Sequence, residues 1–263
     1  MQGIDTHAHV FSATAPPVAG FRYRPSYEAS LADWRSRWAG AGITHGVVVQ
    51  PSFFGTDNAE TLAAVAADPR HLRAVAVVDP GFDAEALSRL RAGGARALRL
   101  NIKSVADYSG FASGEWQALL ARAHALGWHA EVYVDAGRLP EIAPAFEPSP
   151  IAVVFDHFGN PGGTAGAVEA TFAAVGRLAR TRPVWAKLSA PYRLGGADPA
   201  ALASRWLDAV GPERLVWGSD WPWTNHEASQ DYERLRAALE GWVGAERVTA
   251  ILWDNAARLY GFA

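Results

Sequence analysis

Apolar residues fall into eight short runs along the chain, each followed by a longer stretch in which apolar and polar positions alternate with helical spacing. The runs are Gly3 to Val10, His45 to Gln50, Leu72 to Val78, Arg96 to Asn101, Trp128 to Val134, Ile151 to His157, Val184 to Ser189 and Leu215 to Ser219. Their β-branched content suits strands. Helix-like segments lie between them, among others Tyr27 to Ala41, Asn58 to Ala67, Asp83 to Ala92, Gly114 to Leu126, Ala165 to Arg180, Pro199 to Val210 and Ser229 to Leu239. This alternation is the sign of parallel strands joined by crossover helices, and eight such units in 263 residues predict an α/β fold of the (β/α)8 TIM-barrel type. Residues 1–263 read as one domain, without an internal boundary or low-complexity tract. The competing architecture is an open doubly wound sheet, but no strand is followed by the G-x-G-x-x-G spacing of a dinucleotide turn. After the first strand, Pro16-Pro17 and Phe21-Arg22-Tyr23-Arg24-Pro25 form a connection longer than a typical βα loop, a candidate lid.

A barrel places its chemistry at the C-terminal ends of its strands, and polar residues concentrate there. In Asp5-Thr6-His7-Ala8-His9, period-two alternation puts Asp5, His7 and His9 on one face and Ile4 and Ala8 on the other. Two imidazoles two residues apart on a barrel-opening strand suit a metal pair or a carbonyl-polarising pair, against the plainer reading of histidines bonded within the core. Strand six offers Val153, Phe155 and His157 on one face, bringing a third histidine to the mouth. Strand eight ends in Asp220, the best general-base candidate, whose alternative is a helix N-cap. Arg99 and Asn101 share a face of strand four, Glu131, Tyr133 and Asp135 one of strand five, and Lys187 and Ser189 one of strand seven. For Lys187 and Glu131 a structural ion pair within the barrel weighs equally with a functional role. Arg193, just beyond strand seven, could orient an anion through its planar fork. His45, His71, His124, His129 and His226 fall away from the expected rim and receive no role, while Trp221 and Trp223 are candidate pocket walls.

Composition narrows the partners. With 24 Lys plus Arg against 27 Asp plus Glu, the net charge of -3 lacks the basic excess that nucleic acid rewards. Zero cysteines exclude disulfides and thiolate chemistry. No run reaches the roughly 18 apolar residues of a membrane span, and Met1-Gln2-Gly3-Ile4 has no basic leader, so a cytoplasmic protein with a small-molecule substrate is expected. Oligomeric state is left open.

Four segments together resemble the amidohydrolase superfamily, in particular its amidohydrolase 2 branch of 2-pyrone-4,6-dicarboxylate lactonases and sugar lactonases. They are Asp5-Thr6-His7-Ala8-His9, Phe155-Asp156-His157-Phe158-Gly159, Lys187-Leu188-Ser189-Ala190-Pro191-Tyr192-Arg193-Leu194 and Leu215-Val216-Trp217-Gly218-Ser219-Asp220-Trp221-Pro222, with Asn255 to Phe262 closing the pattern. The resemblance implies a distorted barrel in which His7, His9 and His157 polarise a lactone carbonyl and Asp220 activates water. It implies substrate contacts from Arg99, Asn101, Tyr133 and Arg193. Metal-dependent relatives generally add a histidine at the end of strand five, where this chain has Tyr133, so no metal is expected to be required, although zinc could be held by His7, His9, His157 and Asp220. Pyrone lactonases carry another arginine where this chain has Ile102-Lys103-Ser104-Val105, and often one where Asn160 stands, which weakens the case for a dicarboxylate. The expected function is hydrolysis of a small, anionic lactone. The alternative is a zinc-dependent decarboxylase using the same four residues, and a binding module without turnover is disfavoured by the intact His, His, His and Asp set.

Overall fold

A computed structural model describes residues 2–19, 21 and 23–263. Eight parallel strands form one sheet in chain order: β1 Ile4–Ala8, β2 His45–Val49, β3 Leu72–Val77, β4 Ala95–Asn101, β5 His129–Tyr133, β6 Ala152–Phe155, β7 Val184–Leu188 and β8 Leu215–Trp217. The last strand returns to the first through a parallel bridge between Ala8 and Trp221 and through the hydrogen bond from Asp220 N to the His7 carbonyl (2.8 Å). The sheet is therefore a nearly closed (β/α)8 barrel, as expected from the pattern of apolar runs.

Around it run α1 Leu31–Ser36, α2 Trp38–Ala41, α3 Ala59–Ala66, α4 Ala84–Ala92, α5 Gly114–Ala125 and α6 Leu139–Phe146. Then follow α7 Ala165–Ala179, α8 Pro199–Val210, α9 Tyr232–Val243, α10 Ala245–Thr249 and α11 Asn255–Tyr260, the last two joined by a π-helical turn. Side-chain oxygens start several of them: Ser30 caps α1, Asp83 caps α4, Ser113 caps α5 and Asp198 caps α8, each accepting from a backbone N–H that the first turn leaves unpaired. No helix among the described residues is long and apolar enough to cross a membrane.

Alternation along the strands separates two cores. Val48, Leu98, Val132, Phe155 and Trp217 face the helices, whereas Ile4, Val47, Val49, Val75, Val154 and Val216 fill the barrel. Ala256, Tyr260 and Phe262 join the inner cluster and close its lower end. The apolar filling therefore occupies the bottom of the barrel, and polar side chains hold the top.

Two expected face assignments are corrected. The pairing of β1 with β2 shifts register between Asp5 and Ala8, which breaks the parity of the strand. Asp5 therefore does not share a face with His7 and His9; it points outward and accepts from Trp34 Nε1 (2.9 Å), Tyr232 OH (2.9 Å) and Ser219 Oγ (2.6 Å). On β6, Val153 and Phe155 face the helices, and Asp156 is the residue that points inward. His157 regains the mouth because the strand has already ended and its backbone is left-handed (φ 53°). From the connection after β1, Phe11 and Tyr23 line the mouth, and its described part is tied down by Ser12 N on Glu60 (2.8 Å) and Val18 N on the Phe53 carbonyl (2.9 Å). Within that candidate lid, Arg22 lies outside the described residues.

Candidate active site

His7 stands on β1, and His9, His157 and Asp220 leave the strand ends just above it. Their reactive atoms converge: Nε2 of His7, His9 and His157 lies 3.6, 3.8 and 3.7 Å from the single atom Asp220 Oδ1. Asp220, like His157, has left-handed backbone (φ 58°), conformations that persist where the surroundings over-determine them. The N-cap alternative for Asp220 falls away, because Asp231 caps the next α-helix.

The other carboxylate oxygen, Oδ2, accepts from Tyr192 OH (2.7 Å) and Arg193 Nε (2.8 Å). Burial acts to raise the Asp220 pKa, but the Arg193 guanidinium and the surrounding imidazoles more than offset it and hold the carboxyl well below the usual range. Burial pushes the histidines the other way, His9 and His157 to about 4 and His7 well below its ordinary value. At neutral pH the site is an ionised carboxylate ringed by neutral imidazoles. His9 Nδ1 lies 2.7 Å from the Val49 carbonyl, which can only accept, so that nitrogen carries the proton and Nε2 turns a lone pair to the site. His157 Nδ1 meets Ser189 Oγ (2.8 Å), which can donate or accept.

Above these groups opens a cavity of about 300 Å³ lined, among the described residues, by the cations Arg99, Lys103 and Arg193, together with Asn101 and Tyr133. Arg99 is buried and donates to the Gln50 carbonyl (2.7 Å), Lys103 donates to Tyr133 OH (3.3 Å), and the Tyr133 ring stands 4.7 Å from His157. Phe11, Tyr23 and Phe53 supply the aromatic walls. Trp221 and Trp223 do not line this cavity; they join the helix-side core, Trp223 donating to the Ser219 carbonyl (3.1 Å), and wall a separate, more open pocket with Tyr23 and Tyr27. His226 is closer to the rim than its place in the sequence suggests, its ring 4.8 Å from Tyr192.

Beneath His7 the barrel holds a buried charged layer of Lys187, Glu131 and Asp156. The anticipated Lys187–Glu131 ion pair is present. Burial alone would raise Glu131, but Lys187 first and the His129 hydrogen bond next bring it below its ordinary value. Sequence reasoning missed Asp156 and Tyr192. A charge after the apolar run Val153-Val154-Phe155 was a signal for the former; the latter is placed by the 3-10 turn Pro191–Arg193, which carries no comparable signature.

The amidohydrolase family model matches residues 4–262. The chain belongs to this family. Among its relatives, the 2-pyrone-4,6-dicarboxylate hydrolase of Comamonas testosteroni is 31% identical, covering 98% of this chain and 89% of that protein. A 4-sulfomuconolactone hydrolase of Hydrogenophaga intermedia is 25% identical over 98% of this chain and 88% of its own. The crystal structure of a probable 2-pyrone-4,6-dicarboxylic acid hydrolase from Acinetobacter baumannii, with citric acid bound, superposes with a TM-score of 0.90 at 31% identity, covering both chains fully.

Whether this amidohydrolase's residues suit a metal ion can be read from their outer nitrogens. Ligand atoms of His7, His157 and Asp220 lie within 4.8 Å of one another. His9 has the outer hydrogen bond of a ligating histidine, its other N–H on a carbonyl, but lies outside that group. His7 lies within the group but lacks such a bond: its Nδ1 is hydrogen-bonded to the Lys187 ammonium at 3.2 Å, which accepts nothing. Among the described residues, those close enough to share an ion at this site are thus His7, His157 and Asp220, with His7 held back by Lys187 and His9 outside the group.

Proposed function

We propose that this amidohydrolase opens a small anionic lactone by adding water to its ester carbonyl. One observation carries the reading: Asp220, its Oδ1 within 3.8 Å of Nε2 of His7, His9 and His157, forms the floor of a cavity that presents Arg99, Lys103 and Arg193. Pyrones and muconolactones are cyclic esters, so the relatives' named activities favour ester opening over the decarboxylation alternative.

Asp220 Oδ1 takes the proton of the attacking water as the new C–O bond forms. The carbonyl oxygen becomes an oxyanion facing the imidazoles, the ring C–O bond breaks, and the proton passes from Asp220 to the departing alkoxide. The imidazoles differ in what they offer. His9 presents a lone pair and suits holding the water, whereas His157, through Ser189, can present an N–H. Asp220 alone is a weak base, being held low by Arg193. An anion bound at Arg193 offsets that guanidinium charge, so substrate binding raises the basicity of the group that must accept its proton. Were a metal ion held by His7, His157 and Asp220, it would polarise the carbonyl and acidify the water. The protein groups above carry the steps without assigning it one.

Acid release from pyrones, muconolactones and sugar lactones, charged and neutral, tests the proposal, with metal analysis of the same enzyme. Opening of anionic lactones, with neutral analogues of the same ring at least about tenfold slower, is expected from loss of a charge-assisted contact. Failure on every lactone, or preference for neutral ones, would overturn it.

A further inference from the structure

Lys187 is fully buried directly beneath His7, and the steps above do not use it. Its ammonium has three N–H donors and no acceptor. Three acceptors surround it: the Glu131 carboxylate, Asp156 Oδ1 at 3.3 Å and His7 Nδ1 at 3.2 Å. Glu131 is itself fixed, accepting from Tyr260 OH and meeting His129 Nε2 at 3.2 Å, so Lys187 is anchored from below.

We propose that Lys187 is a positioning residue that sets the tautomer of His7, donating to Nδ1 so that the ring proton sits on Nε2 and faces the substrate carbonyl. A neutral imidazole has one N–H and one lone pair, and an ammonium can satisfy only the lone pair. Asp156 Oδ1 is the competing partner, 3.3 Å from the same Nδ1, and would demand the opposite tautomer. It does not meet hydrogen-bond geometry there: both Asp156 oxygens lack a hydrogen-bond partner among the described residues, and the ring is aimed at Lys187. Asp156 thus acts as counter-charge to the ammonium. On the other side of the ring, His7 Nε2 is buried, without a hydrogen-bond partner among the described residues, and points toward the convergence of His9, His157 and Asp220.

The two histidines of β1 and its end are thereby given opposite tautomers. His9 has its proton on Nδ1 against the Val49 carbonyl and a lone pair in the site; His7 has its lone pair on Lys187 and its N–H in the site. Resting on the lactone-opening reading, this makes His7 the donor to the oxyanion and His9 the acceptor toward water. The tautomers themselves do not depend on that reading. The same contact denies His7 the carboxylate–histidine–metal arrangement, which would need Nδ1–H on Asp156.

Long-range 1H–15N correlation spectra of the enzyme labelled with 15N-histidine decide the matter, with His7→Gln and His9→Gln assigning the signals. The expected result at neutral pH is Nε2–H at His7 and Nδ1–H at His9; Nδ1–H at His7 would overturn the proposal. Cause is tested by the charge-conserving pair Lys187→Met with Glu131→Gln, which should flip His7 to Nδ1–H on Asp156. That variant should lose about 100-fold or more in kcat with KM little changed, as for loss of an oxyanion donor. It should also bind zinc about 10- to 100-fold more tightly. An unchanged His7 tautomer in the variant would refute Lys187 as the cause, and a variant that does not fold leaves the wild-type spectrum to decide. Wild-type enzyme with the expected tautomers but inactive on every lactone would sink the functional reading alone.

Discussion

Replacing Arg193 by methionine keeps the apolar stem of the side chain while removing its charged head, and the structure gives that charge two connections. Arg193 Nε donates to Asp220 Oδ2 at 2.8 Å and Nη2 to the Thr224 carbonyl at 3.0 Å, while the side chain also lines the cavity. A charge-assisted hydrogen bond contributes about 1.5–3 kcal/mol, so an anionic lactone should lose roughly ten- to a hundredfold in kcat/KM. The second consequence concerns the base. Without its strongest charged neighbour, the Asp220 pKa rises toward the ordinary carboxylate range, and the acid limb of the rate profile moves to higher pH. A neutral lactone should lose far less, because the stronger base offsets part of the altered geometry. The assay is kcat/KM against pH for wild type and Arg193→Met on a matched pair of charged and neutral lactones. Equal losses on both, with the acid limb unmoved, would refute the reasoning and leave Arg193 a structural prop.

Acid should weaken the fold before it reaches the carboxylates: His9 and His157 have folded pKa values of about 4 against 6.5 for the free side chain, so the unfolded chain takes up their protons first. Stability therefore falls as pH drops from about 6.5 toward 4, by up to ~3 kcal/mol for each group, and levels off below; a urea midpoint that is flat across this window would contradict the assignment. Asp5→Ala should cost about 3–5 kcal/mol, because it strands the buried donors of Trp34, Tyr232 and Ser219, and a midpoint shift under ~1 kcal/mol would refute that role. Tyr192→Phe removes one donor to Asp220 Oδ2 and should raise the acid limb in the same direction as Arg193→Met but by less; a shift to lower pH would count against it.

The barrel was legible because its strands are buried on both faces and read as apolar runs, and each of the eight has its partner among the observed strands. Their ends were less legible. Predicted strands continued to His157, Ser189 and Ser219, whereas the ladder stops at Phe155, Leu188 and Trp217, since apolarity persists after pairing has ceased. Helix α6 escaped the periodic reading because Pro140 and Pro144 look like breakers, although Pro140 occupies the first turn, where its missing N–H costs nothing. Among site residues, His7, His9, Arg99, Asn101, Tyr133, His157, Arg193 and Asp220 all come to one mouth. Asp5 was misplaced because alternation cannot register a bulge, and Asp156 was overlooked because counting along β6 was anchored on His157, which lies beyond the strand. The tie from Lys187 to His7 spans 180 residues of sequence and is visible only once the strands are closed into a ring.

The central claim is that Asp220 is the base for opening an anionic lactone, and Asp220→Asn tests it most directly. Asparagine keeps the shape and an oxygen for Tyr192 and Arg193 but cannot take a proton from water. Measured on the lactone that the wild type opens fastest, at equal melting temperature, kcat should fall by at least about 100-fold, the usual scale for loss of a general base. Turnover within a few-fold of wild type by the folded variant would contradict the account.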